Sequence, residues 1–214
     1  MKPIVLVGGG GHCKSVISAI ESCGYQIRGI LEKTEKENKD CLGYPVIGTD
    51  EEIHKYVKDN LFVVTVGSIG DPSLRILLHK KIEKAGGKFA TVIASTAYVS
   101  KHCLIGDGTV ILHHATVNAC SSIGKGCIIN TGADIEHDVK IEDYVHVSTG
   151  AIINGGSFIR SRTFIGSGAI ICQGITINED IIVGAGAVVC KNISNIGTYT
   201  GIPAVLNKKC VERQ

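Results

Sequence analysis

From residue 93 onward an isoleucine or valine stands at every sixth position, seventeen times without interruption, beginning at Ile93 and Val99 and ending at Val183 and Val189. The fifth place of each hexad is mostly small, as at Ala97, Thr109, Ala115, Ala133 and Ala151, and the second and fourth are often glycine, as in Ile123-Gly124-Lys125-Gly126. A fifth residue and the following first residue lie two apart, which on a strand is the same face. Each hexad is therefore a short strand with two inward side chains, followed by a corner at its third and fourth places. A repeat of this period predicts a parallel β-helix over 93–194.

The chain ahead of the repeat is patterned differently. Residues 4–7 (Ile-Val-Leu-Val) read as a buried strand, followed by Gly8-Gly9-Gly10-Gly11-His12 and a helix with Val16, Ile17 and Ile20 on one face. A second strand is expected over 26–32, an exposed loop over 33–40, a helix over 50–60 and a third strand over 61–66. Asp71-Pro72 then opens a helix with Leu74, Leu77, Leu78 and Ile82 on its apolar stripe. Strands alternating with helices predict a small parallel sheet of Rossmann type. The domains expected are 1–92, 93–194 and a C-terminal tail, 195–214. Glycines between strand and helix let a phosphate approach the helix N-terminus. The fingerprint G-x-G-x-x-G is broken at its last place by Cys13. Glu32, closing the second strand, stands where an acid meets a sugar hydroxyl, and Gly67 falls on the same sheet edge.

A net charge of +2 with 20% charged residues gives nucleic acid or a membrane surface little to bind. The N-terminus enters a strand directly, with no signal-peptide pattern, and no apolar run is long enough to span a bilayer. Nine cysteines without C-x-x-C or metal-ligand spacing read as reduced thiols of a cytoplasmic protein.

Five histidines lie in the repeat. An outward His on a β-helix is ordinarily just solvated, and His102, His113 and His114 are read so. His137 is a corner residue followed by Asp138, so a carboxylate can orient the imidazole and raise its basicity, as a general base requires. The residues eighteen before and after it, Ala119 and Gly155, are small and leave a recess around the ring.

The hexads, the glycine-loop domain before them, the strings 130–138 (Asn-Thr-Gly-Ala-Asp-Ile-Glu-His-Asp) and 146–151 (His-Val-Ser-Thr-Gly-Ala) and the late Gly201-Ile202-Pro203-Ala204 together resemble the NeuD/PglD family of sugar O- and N-acetyltransferases. The resemblance implies a left-handed parallel β-helix with three hexads per coil, against the general right-handed prior for parallel crossovers. It implies a cytoplasmic homotrimer that uses acetyl-CoA and no metal. It implies His137 as general base supported by Asp138, with His146 contacting acetyl-CoA and Asn130 supporting the acceptor site. Gly155, Ser167 and Ala185 are implied along the pantetheine groove, and Gly10, Gly11, His12, Glu32, Lys33 and Gly67 around a nucleotide sugar. With coils of 18 residues, His146 stands half a coil from His137, on the far side of one prism. A site using both must then lie between subunits, which a closed trimer supplies.

The reading is an acetyl-CoA-dependent N-acetyltransferase of a nucleotide-linked sugar, a UDP-4-amino-4,6-dideoxy sugar foremost, with the CoA phosphates near Lys191, Lys208 or Lys209. The alternatives are O-acetylation of sialic acid or a related sugar, a zinc-dependent trimer drawing on His113, His114 and His146, and a sugar-nucleotide binder without turnover.

Overall fold

The computed structural model describes residues 2–33 and 40–207. Its first part holds strands β1 (Ile4–Val7), β2 (Ile27–Leu31), β3 (Asp40–Cys41), β4 (Tyr44–Gly48) and β5 (Leu61–Val64), with helices α1 (Gly11–Ser22) and α2 (Ser73–Lys84). The strand order is β3-β4-β2-β1-β5, parallel except for the β3–β4 hairpin. Strand β1 thus has β2 on one side and β5 on the other, and a crevice opens where their carboxyl ends diverge.

Two local expectations are corrected. The helix expected over 50–60 is a 3-10 turn, Asp50–Lys55, started by the Thr49 N–H donating to the Glu52 carboxylate at 3.0 Å. Ile53 is its one buried residue, too little apolar anchorage to extend a helix. Helix α2 is present, but the stripe read from its leucines is turned: Arg75, Leu78, His79 and Ile82 are buried, while Leu74 and Leu77 are exposed. The hairpin β3–β4 adds two strands that the sequence pattern does not announce. Of the loop expected over 33–40, residues 34–39 lie outside the described residues.

The hexads build a three-sided prism. Seventeen short strands, from Val92–Ile93 to Val188–Val189, fall in rotation on three parallel faces. Through Ile170–Ile171 each pairs with the strand 18 residues later, as Val117 does with Ile135 and Ile135 with Ile153, so one coil is 18 residues. The inward residues are closed off from water from Ile111 to Val189. Hydroxyls are tolerated among them because the neighbouring coil satisfies them. Thr109 Oγ1 donates to the Gly124 carbonyl at 2.7 Å and accepts the Cys127 N–H at 3.0 Å. Fourteen successive corners, 108 to 186, place their fourth residue at positive φ, glycine at eight of them. Asp138 takes this conformation at φ 61°, which Asp tolerates better than most side chains.

The first prism face carries the strands starting at Val92, Val110, Ile128, His146 and Phe164, and its early coils seat the α/β part. Their outward residues Val110, Leu112 and Ile128 are buried with Val16, Ile17 and Ile20 of α1. Arg75 pins the seam from the other side. Fully buried, it donates through Nη1 to the carbonyls of Val64 (3.0 Å) and Val66, and through Nη2 to that of Gly126 in the prism (3.0 Å). No carboxylate among the described residues is ion-paired with it, and burial lowers its pKa to about 10. Arg75→Met should remove the guanidinium donor from the buried Val64 and Gly126 carbonyls and the half-buried one of Val66, and lower stability by about 2–3 kcal/mol, read as a reduced urea midpoint.

Candidate active site

A cleft of about 880 Å³ lies where the sheet's crevice faces the prism. The glycine loop forms one wall. Gly8 has φ +107°, and a Cβ there would sit 2.5 Å from Val66 Cγ2, so only glycine lets the loop turn between β1 and β5. Gly10 caps α1 without any side-chain bond, and Gly10 and Gly11 are exposed, so the first N–H groups of the helix open into the cleft. A helix start left open in this way attracts anions. Glu32 closes over the loop, its carboxylate accepting the Gly9 N–H at 2.6 Å and the Lys33 N–H at 3.1 Å.

The opposite wall belongs to the first prism face, where the outward residues change from apolar to polar as the covering helix ends. There His146 Nδ1–H donates to the Ser68 carbonyl at 2.7 Å, and its Nε2 faces the Asn130 amide at 3.3 Å. Its ring meets Phe164 edge-on, with centroids 5.1 Å apart. Burial, then the nearby Arg75 cation, depresses its pKa to about 4 against the Ser68 bond. His12, in the first turn of α1, lies 6.5 Å from it between ring centroids and is depressed to about 3, again chiefly by burial and then by Arg75. Both imidazoles are neutral at physiological pH, so they meet a ligand as hydrogen-bonding groups and the positive charge comes from Arg75 and the helix terminus beneath. The His12 Nε2 is buried without a partner, a polar atom left for a ligand or water to satisfy.

Of the residues singled out in the sequence, Gly10, Gly11, His12, Glu32, Gly67, Asn130 and His146 all line this cleft. Lys33 does not; it lines an adjoining pocket with Leu74, Leu77 and Lys80. His137 and Asp138 do not either. They stand on the edge between the second and third faces, opposite the face that carries His146. On that edge His137 Nδ1–H donates to Asp138 Oδ2 at 2.8 Å, leaving Nε2 free to take a proton. The Asp138 hydrogen bond raises the His137 pKa, with smaller help from the charges of Asp138 and Glu136. Gly155 lies directly against the ring, since a Cβ there would come within 2.7 Å of His137 Cε1 and Nε2. Ser167 and Ala185 lie on a different edge, between the first and second faces, where Ser167 Oγ meets Ser148 Oγ at 2.9 Å. The groups assigned to one groove therefore occupy two edges of one chain. Gly155→Ala should displace the His137 ring and reduce kcat by roughly 10²-fold, as angstrom misplacements do, with an unchanged melting temperature; steady-state kinetics beside a thermal melt would check it.

Sequence reasoning missed Ser68, Ser148 and the hydroxyls of Thr131 and Thr149 in the cleft, and Arg75 buried behind it. Arg75 alone left a signal, standing three and seven residues before the buried Leu78 and Ile82. Cys13 is inert, buried in the α1 core with its thiol pushed up to about 12 by burial. The histidines pooled for zinc are engaged separately, His113 with Ser18 and Thr96 and His146 with Ser68. Of the lysines proposed for CoA, Lys208 and Lys209 lie outside the described residues.

The PglD N-terminal domain model matches residues 3–82. Over 116 residues the chain is 36% identical to UDP-N-acetylbacillosamine N-acetyltransferase of Bacillus subtilis, a match covering 52% of each protein, so about half the length of that curated relative. The acetyltransferase domain of PglB from Neisseria gonorrhoeae, solved alone and with acetyl coenzyme A, superposes with TM-score 0.89 at 30% identity; the unliganded match covers 97% of this chain and all of that one. PerB from Caulobacter crescentus, solved with CoA and GDP-perosamine, superposes with TM-score 0.87 at 31% identity over 97% of this chain and 98% of its own. With the α/β part and the prism matched together along nearly their whole length, the chain belongs to the NeuD/PglD family of sugar acetyltransferases.

Proposed function

We propose that this chain is an acetyl-CoA-dependent N-acetyltransferase of a nucleotide-linked amino sugar, with a UDP-4-amino-4,6-dideoxy sugar as the foremost acceptor. One observation carries the reading: the open N-terminus of α1, an anion site, faces Asn130 and a neutral His146 across one cleft. The diphosphate would rest on the N–H groups of Gly10, Gly11 and His12, with Glu32 beside a ribose hydroxyl. The sugar would then reach toward Asn130 and His146.

The base comes from another copy. His137 stands on the edge away from this cleft, so a closed trimer would bring its Nε2 to the cleft of a neighbour. There His137 takes the proton from the amine as its nitrogen attacks the thioester carbonyl; as the C–S bond breaks, the imidazolium passes that proton to the departing sulfur, releasing the CoA thiol and restoring the neutral base. Asp138 fixes the tautomer and stabilises the imidazolium. Gly155 and Lys191 continue the His137 edge, Lys191 three coils on and about 14 Å away at the parallel-strand spacing; the pantetheine would follow that edge toward Lys191. The neighbour's opposing edge would supply Ser167 and Ala185. UDP-, GDP- and CMP-linked amino sugars incubated with acetyl-CoA and read by mass should show one acetyl gain on a UDP-linked amino sugar and none on hydroxyl-only analogues. Gain on the hydroxyl sugars alone would replace N- by O-acetylation.

A further inference from the structure

The second prism face holds a pair of thiols that acetyl transfer does not use. Cys172 and Cys190 occupy equivalent second places one coil apart, immediately after the paired residues Ile171 and Val189. Both point outward; Cys190 is exposed and Cys172 half-buried. Their sulfurs are 3.7 Å apart, the Cys172 S–H directed at the Cys190 sulfur. Neighbouring parallel strands hold their Cα atoms about 4.8 Å apart, inside the 4.4–6.8 Å that disulfides span. Bonding needs the sulfurs to close from 3.7 Å to about 2.05 Å, a movement that asks for χ1 rotation of two outward side chains and a slight approach of the two coils. Of the other described thiols, Cys13 and Cys41 meet each other but are both buried in the α/β part, away from any reagent; Cys120 is an exposed corner residue, and Cys23, Cys103 and Cys127 give their S–H groups to backbone carbonyls.

We infer that Cys172 and Cys190 form a reversible modification site, a dithiol that low-molecular-weight disulfides oxidise to a bond between adjacent coils. The Cys190 thiolate, steadied by the S–H of Cys172, attacks one sulfur of the reagent RSSR and expels RS⁻, leaving Cys190–S–S–R. Cys172 then loses its proton to solvent, attacks the Cys190 sulfur and expels a second RS⁻. Two protein thiols are oxidised, one reagent disulfide is reduced to two thiols, and the electrons balance. Burial and the bond to Cys190 raise the Cys172 pKa, which suits the later, resolving step in which the target is already tethered alongside. The pair sits in the column that continues Glu136 and Asn154, two and three coils beyond His137, and its chemistry is independent of whether acetyl is transferred.

The full chain, incubated with hydroxyethyl disulfide, freed of excess reagent and then alkylated, tests this by non-reducing peptide mapping. The expected product is a Cys172–Cys190 linkage with loss of two hydrogen masses, reversed by dithiothreitol, kept in Cys120→Ser and lost in Cys190→Ser. Separate reagent adducts on Cys172 and Cys190, or both thiols recovered alkylated, would overturn it. The linkage is read in the wild-type chain itself, so poor folding of a variant does not obscure the result.

Discussion

His137→Ala should lower kcat by roughly 10² to 10⁴-fold, the usual contribution of a positioned general base, while melting temperature and ligand binding in the cleft stay unchanged. The ring is exposed, with Gly155 and Asp138 beside it, so its loss removes chemistry and almost no core. The pH profile gives a second, independent signature. Catalysis needs the neutral imidazole, and Asp138 holds the His137 pKa above its ordinary 6.5. The acid limb of kcat/KM should therefore rise through a midpoint above 6.5. In Asp138→Asn that limb should move to lower pH, because the carboxylate that favoured the protonated ring is gone. A His137→Ala enzyme with wild-type kcat would remove this residue from the mechanism, and an acid limb that ignores Asp138→Asn would separate the two residues.

Two dead variants should rescue each other. His137→Ala damages the edge that a chain would present to its neighbour, and Asn130→Ala damages the cleft that it would offer in return; each alone should be nearly inactive. In hetero-oligomers co-expressed at equal amounts, about one quarter of the sites would draw both intact halves from two different chains. Activity should return to roughly that fraction of wild type, far above either parent. Recovery no greater than the average of the two parents would place both residues in one chain's site. The separation of the two residues on opposite sides of the prism makes this the sharper test of oligomeric catalysis.

How much of this is legible in the sequence differs between the two parts of the chain. In the prism, place in the repeat is place in space: inward hydroxyls, corner residues and the half-coil between His137 and His146 follow from counting, because each coil contacts mainly the coils before and after it. The tautomer at His137 is readable too, since its partner is the next residue. Helix α2 shows the opposite case. Its leucines suggest one face, yet the surface it meets takes Arg75 and His79 inward and leaves Leu74 and Leu77 outside.

By itself, then, the sequence determined the architecture and the two sides on which the chemistry stands, since a strict six-residue period can bury its isoleucines and valines only by coiling. Tertiary structure alone decided the cleft. Ser68 meets His146 across 78 positions and Arg75 meets Gly126 across 51, contacts that exist only once Val110, Leu112 and Ile128 have been covered by α1. Such pairings depend on how two surfaces dock, and docking is set by complementary shape and by buried polar groups finding partners, which no local period encodes.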